Sequence, residues 1–141
     1  MRGDLMEVRS SSLQVISVPG GDVKHALKVS ESDFRGFGEA YFSTIEYKSV
    51  KGWKLHKEMV CNLVVPVGTV KFVVRNAAGM FNEYVIGSTN YCRLTIPPGH
   101  WFAFQGLAEE VSVILNISSI EHDPKESDRC ELGAFNYEWD V

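Results

Sequence analysis

The sequence predicts an all-β protein, a sandwich or small barrel, and three observations lead there. Short segments rich in β-branched and aromatic residues recur along the chain. Clusters of turn-forming residues separate them at short intervals. No stretch in the middle of the chain carries apolar residues at the helical period of 3.6.

The elements follow in order. Leu13 to Val18 reads as a strand that stops at the Pro19-Gly20-Gly21 turn. Ala40 to Tyr47 is a second strand by composition. Trp53 to Lys57 alternates apolar and polar with period two, the pattern of a half-buried strand. That period puts Lys54 and His56 on one face, with Glu58 next along it. Asn62 to Val67 and Val70 to Val74 flank Gly68-Thr69, which reads as a tight turn between antiparallel neighbours. Glu83 to Ile86, Cys92 to Ile96, Trp101 to Phe104 and Val111 to Ile117 follow at short intervals. Their separators are Asn76-Ala77-Ala78-Gly79, Gly87-Ser88-Thr89-Asn90, Pro97-Pro98-Gly99 and Gly106. The polar run His122 to Arg129 is expected to leave the sheet as a loop or one helical turn.

A chain of 141 residues without repeats or a low-complexity linker fits a single domain. Its expected parts are an N-terminal arm and strands over 1–32, a core over 33–120 and a tail over 121–141. Hydrophobic residues make up 45% and charged residues 23%, a soluble globular composition. Fourteen Lys and Arg against eighteen Asp and Glu give a net charge of −4 with no basic block, which argues against a nucleic-acid partner. The longest apolar runs, such as Leu63 to Val67, are too short to span a bilayer, so no membrane partner is expected. Met1 to Glu7 carries acids where a secretory leader is basic and then apolar. Cys61, Cys92 and Cys130 are odd in number and widely spaced, which suits a reduced, cytoplasmic setting with each thiol a small buried hydrophobe.

Two segments carry a family likeness. Gly52-Trp53-Lys54-Leu55-His56-Lys57 followed by Asn62 to Val70 resembles the first motif of a cupin. Leu94-Thr95-Ile96-Pro97-Pro98-Gly99-His100-Trp101-Phe102-Ala103-Phe104 resembles the second. The Ile-Pro-Pro-Gly turn before an aromatic strand is similar to nucleotide-sugar cupins, the dTDP-4-dehydrorhamnose 3,5-epimerases and the dTDP-sugar 3,4-ketoisomerases. Asp33-Phe34-Arg35-Gly36-Phe37 and Asp123-Pro124 with Glu126 and Asp128-Arg129 resemble their flanking motifs. The resemblance implies a double-stranded β-helix, a homodimer with exchanged N-terminal strands, and a pocket for a nucleotide-linked 4-keto-6-deoxyhexose.

It also implies a set of site residues. Metal-binding cupins carry a His-x-His pair that reads Lys54-Leu55-His56 here, and Phe102 stands at the later ligand position, so no metal or other cofactor is expected. The epimerase base and the first ketoisomerase His both fall on Lys54, and the second His falls on His56. The epimerase Tyr falls near Asn116 and a Lys near Cys61. The carboxylate that pairs with the epimerase base falls beyond Val141.

Moving a proton beside a ketone needs a base, a donor for the enolate oxygen and an acid. His56 is the candidate acid–base group. Lys54 or Asn116 is the candidate enolate partner, and Tyr41 the second acid. Arg35, Asn62, Trp101, Phe102 and Asn116 are candidate substrate-binding residues. Blander roles compete: a hydrogen-bonded structural His56, an exposed turn for Arg35, packing for Trp53, Trp101 and Phe104, a strand-end cap for Asn116. His122, Glu126 and Asp128 read as solvated tail. The expected function is isomerisation or epimerisation of a dTDP-4-keto-6-deoxyhexose by enolisation, in surface-polysaccharide or deoxysugar biosynthesis. The alternative is a cupin that binds the nucleotide sugar without turnover, as a sensor or partner of a biosynthetic enzyme.

Overall fold

The computed structural model describes residues 6–140; residues 1–5 of the N-terminal stretch, and Val141, lie outside them. The described chain runs through β1 (Arg9–Ser12), β2 (Val15–Val18), β3 (Gly21–Lys24), β4 (Glu39–Ile45), β5 (Val50–His56) and β6 (Cys61–Val67). It continues through β7 (Thr69–Arg75), β8 (Phe81–Gly87), β9 (Cys92–Ile96), β10 (Trp101–Gly106), β11 (Ser112–Ser118) and β12 (Ser127–Arg129). Two five-stranded antiparallel sheets face each other, ordered β1-β9-β6-β11-β4 and β12-β5-β10-β7-β8, with the β2–β3 hairpin apart. This is the all-β double-stranded β-helix. From β4 to β7 the chain alternates between the two sheets.

That alternation changes the reading at Gly68. β6 and β7 are not antiparallel neighbours, because they belong to opposite sheets. Gly68 has φ +89°, and a Cβ there would stand 2.1 Å from Ser112 Oγ, so the chain crosses between sheets tightly against β11. The Asn76–Gly79 turn does join a hairpin, β7 to β8. Asn76 Oδ1 accepts from the backbone N–H groups of Ala78 and Met80 there, at 2.9 and 3.0 Å. The additional strands β1, β3 and β12 are short and polar, with sequences RSSS, GDVK and SDR.

Period two sorts side chains between the sheets and outside them. The main core gathers Leu63, Val65, Val70, Phe72, Leu94 and Ile114 between the inner faces. Outside the second sheet, buried Trp53 packs under Phe135 and Trp139 of the C-terminal tail and donates its indole N–H to Leu132 O at 3.0 Å. Outside the first sheet, Arg93 is 1% exposed and donates to Ala26 O at 2.8 Å and to Asp33 Oδ2 at 3.1 Å. Arg9 from β1 reaches the other Asp33 oxygen at 2.5 Å. Burial alone pushes the Asp33 carboxyl up; the bonds from Arg9 and Arg93 outweigh it and hold it below the usual range. Among the described residues, no helix is long and apolar enough to cross a membrane.

Candidate active site

A cavity of about 460 Å3 opens between the two sheets. Cys61, Leu63, Phe102, Phe104 and Ile114 form apolar walls, and Tyr41, Ser43, Lys51, Lys54, His56, Asn116 and Arg129 bring the polar groups. Lys54 and His56 share this cavity because they stand two apart on β5.

Lys51 joins them through a bulge. Lys54 pairs with Phe102 and Lys51 with Phe104, so three steps along β5 match two along β10. The extra residue at Gly52–Trp53 reverses the alternation and brings Lys51 onto the face that Lys54 occupies. Lys51 Nζ donates to Thr44 O at 2.7 Å. Arg129, on the other side of β5, pairs directly with Lys54. Three cations therefore line one cavity in a protein of net charge −4.

The tail supplies the carboxylate. Asp123 caps a 3-10 turn over Pro124–Glu126, accepting from Lys125 N at 3.0 Å, and proline fits its first position. The expected loop and helical turn thus end at Glu126, and β12 then pairs with the edge of β5, Ser127 opposite His56. Glu126 is swung inward, 4% exposed, and is not solvated tail. Its Oε1 bonds His56 Nδ1, and its Oε2 accepts from the N–H groups of Glu58 and Met59, both at 3.1 Å. Burial pushes Glu126 up, but the bonds from His56 and from those two amides outweigh it and hold the carboxylate ionised.

A carboxylate only accepts, so Nδ1 carries the proton and Nε2 keeps its lone pair. Burial, above all, pushes the His56 pKa below 6.5, with Lys54 adding to it and Glu126 opposing. The imidazole is thus neutral at neutral pH. Lys54 is also pushed down, first by burial and then by Arg129. Opposite His56, Asn116 pairs with Tyr41 across β11 and β4 and donates Nδ2–H to the Tyr41 hydroxyl at 3.0 Å. Burial pushes the Cys61 thiol up to about 12, so it stays protonated. Among the described residues, no cluster of three or more His, Cys, Asp or Glu could hold a metal ion.

The geometry now meets known structures. A dTDP sugar isomerase from Desulfovibrio desulfuricans superposes with a TM-score of 0.89 at 31% identity, over 94% of this chain and 90% of that one. The chain belongs to the RmlC-like cupins. QdtA, a sugar 3,4-ketoisomerase from Thermoanaerobacterium thermosaccharolyticum solved with TDP, shares the cupin fold at 18% identity and a TM-score of 0.71, over 87% of this chain and 88% of that one. RmlC from Legionella pneumophila, a 3,5-epimerase solved with dTDP-4-keto-L-rhamnose, shares it at 12% and 0.80, over 97% and 81%. No family model and no curated protein sequence matches the chain.

Within this cupin the expected site residues divide. Tyr41, Lys54, His56, Phe102 and Asn116 come together in the cavity. Asn62, Trp101 and Arg35 do not line it. Asn62 points out of the barrel between inward Cys61 and Leu63, donating to Asp33 O and accepting from Thr95 Oγ1. Trp101 packs on Phe135 in the outer aromatic cluster, as alternation requires of the neighbour of Phe102. Arg35 lines a separate cavity of about 290 Å3 with Met6, Glu7 and Arg9. The cupin motifs did not point to Glu126, Lys51 or Arg129 as site residues. Glu126 stood in the quoted tail motif, yet its burial depends on a strand pairing that polar residues do not announce.

Proposed function

We propose that this cupin is a metal-independent isomerase or epimerase that enolises a dTDP-4-keto-6-deoxyhexose, serving deoxysugar or surface-polysaccharide biosynthesis. The observation that carries this reading is His56, held by buried Glu126, in a cavity whose lining also brings the cations Lys51, Lys54 and Arg129. Neutral Nε2 takes the proton from the carbon beside the ketone, and Glu126 stabilises the imidazolium that results. Lys54 and Asn116 face the developing enolate, and Tyr41 is the acid that returns a proton. Lys51 and Arg129 suit the diphosphate of a nucleotide sugar.

A homodimer in the cytoplasm belongs to the same reading. The β2–β3 hairpin exposes Val15, Ile16, Val18 and Val23, and the edge strand β4 exposes Phe42 to 69%. Light scattering is expected to give twice the chain mass; a monomer removes the dimer.

Proton NMR of dTDP-4-keto-6-deoxyglucose with the protein in deuterated water tests the reaction. Protein-dependent loss of the C3 or C5 signal is expected. No loss, with the nucleotide signals broadened, would establish binding without turnover, and neither effect would exclude this substrate.

A further inference from the structure

We propose that Lys54 forms a covalent iminium with the substrate ketone, so that this cupin epimerises beside a carbonyl that stays in place. The inference rests on the enolising function above and makes its chemistry specific.

Lys54 lines the cavity two residues from the base on the same strand face. Its direct partner across β5 and β12 is another cation, Arg129. Like charges opposite one another on paired strands destabilise both, a placement without a structural reward. The carboxylate nearby makes no direct bond to it, since the Glu126 oxygens are taken by His56 and the Glu58 and Met59 amides, and its charge offsets burial and Arg129 only in part. Among the described residues, the ion pairs of this region join His56 to Glu126 and Lys57 to Asp128, and leave Lys54 out. Phe102, Leu63 and a protonated Cys61 complete the surroundings. A lysine desolvated beside a second cation is how a nucleophilic amine is made. The downward push on Lys54 from burial and Arg129 agrees with that geometry.

The step balances without an oxidant or a cofactor. The Nζ lone pair adds to the ketone carbon, and the carbonyl oxygen leaves as water with one proton from Nζ and one from solvent, the latter returned when the iminium is hydrolysed. The C=N+ bond formed then accepts the electron pair of the adjacent C–H bond as His56 Nε2 removes that proton, giving a neutral enamine. Protonation of the carbon from the opposite face restores the iminium, and water releases an epimerised ketone and free Lys54. Transposing the carbonyl to the next carbon by this route would leave the sugar fixed to Lys54 as an amine. The inference therefore selects epimerisation over ketoisomerisation.

Sodium cyanoborohydride added during incubation with dTDP-4-keto-6-deoxyglucose is the test, read by intact mass and peptide mapping. The expected product is one sugar nucleotide, less one oxygen, reduced onto the peptide that carries Lys54. Lys54→Arg keeps the charge and cannot form an imine, so its proton exchange is expected to fall by more than about 100-fold while nucleotide binding persists. Exchange in the wild type without an adduct on Lys54, or with adducts on other lysines only, overturns the iminium and leaves the enolising function standing. An exchange rate in Lys54→Arg within about threefold of wild type does the same. Absence of exchange in the wild type defeats the enolising function, while the trapping result still decides the iminium.

Discussion

A protonated His56 has no lone pair to offer, and its pKa is held below 6.5 by burial. The exchange rate is accordingly expected to fall as pH drops below 6.5, as measured by the NMR assay across a pH series. His56→Gln removes the base and is expected to cost about 10²–10⁴-fold. Glu126→Gln is the sharper variant. Its amide oxygen can still accept from Glu58 and Met59, but its NH2 then faces Nδ1 and forces the proton onto Nε2. A loss of comparable size is expected with nucleotide affinity unchanged. Cys61, its thiol pushed up to about 12, is expected to resist iodoacetamide in the folded protein and to react only on unfolding, which mass mapping reads. At this scale the sequence was half legible. Alternation placed Lys54 and His56 together, and the same rule applied to Cys61-Asn62-Leu63 and to Trp101-Phe102 excludes Asn62 and Trp101 once Leu63 and Phe102 face inward. Glu126 was illegible because its burial is decided seventy residues away, by the register of β12 on β5.

Among the elements, the crossings between sheets bear the tightest constraints. At Gly68 a Cβ would meet both the side chain and the backbone of Ser112, on a backbone of positive φ. Gly68→Ala is expected to cost about 2 kcal/mol or more in urea unfolding. Gly20, with φ +88° and open space around it, is the control, and Gly20→Ala is expected to cost about 1 kcal/mol. Equal losses would show that conformation, not the approach to β11, sets the constraint. Strand positions were legible wherever aromatic and β-branched residues clustered. The pairing of β6 was not, since Gly68-Thr69 reads the same whether it turns a hairpin or carries the chain to the facing sheet. β12 escaped notice because Ser127, Asp128 and Arg129 bury little and hold to β5 by backbone bonds.

Across the whole molecule, the buried carboxylates and His56 pull stability in one direction as pH falls below neutrality. Asp33 and Glu126 have folded values below their unfolded ones, so their contribution is complete above the ordinary carboxylate range and is lost as pH falls through the folded values. His56 also titrates lower when folded, so the unfolded chain binds its proton first as pH drops below 6.5. The melting temperature is expected to decline on acidification from pH 7 to pH 4, with the upper part of that decline absent in His56→Gln. The three cavity cations set a second global property. Raising salt from 50 to 500 mM is expected to weaken nucleotide-sugar affinity severalfold, measured by calorimetry, because added ions screen the charge of the three cations that line the cavity.

The bulge in β5 separates two properties that a regular ladder would tie together. Toward the end of the strand, Lys54 and His56 keep their facing whatever happens before them, because their register is held by Phe102 and by β12. Ahead of the bulge, one residue more or fewer at Gly52 turns Lys51 inward or outward. A lineage descending from this fold can thus gain or shed an ammonium at the entrance by a single codon insertion or deletion, and so trade one charged ligand for another while inheriting the same proton-transfer pair intact.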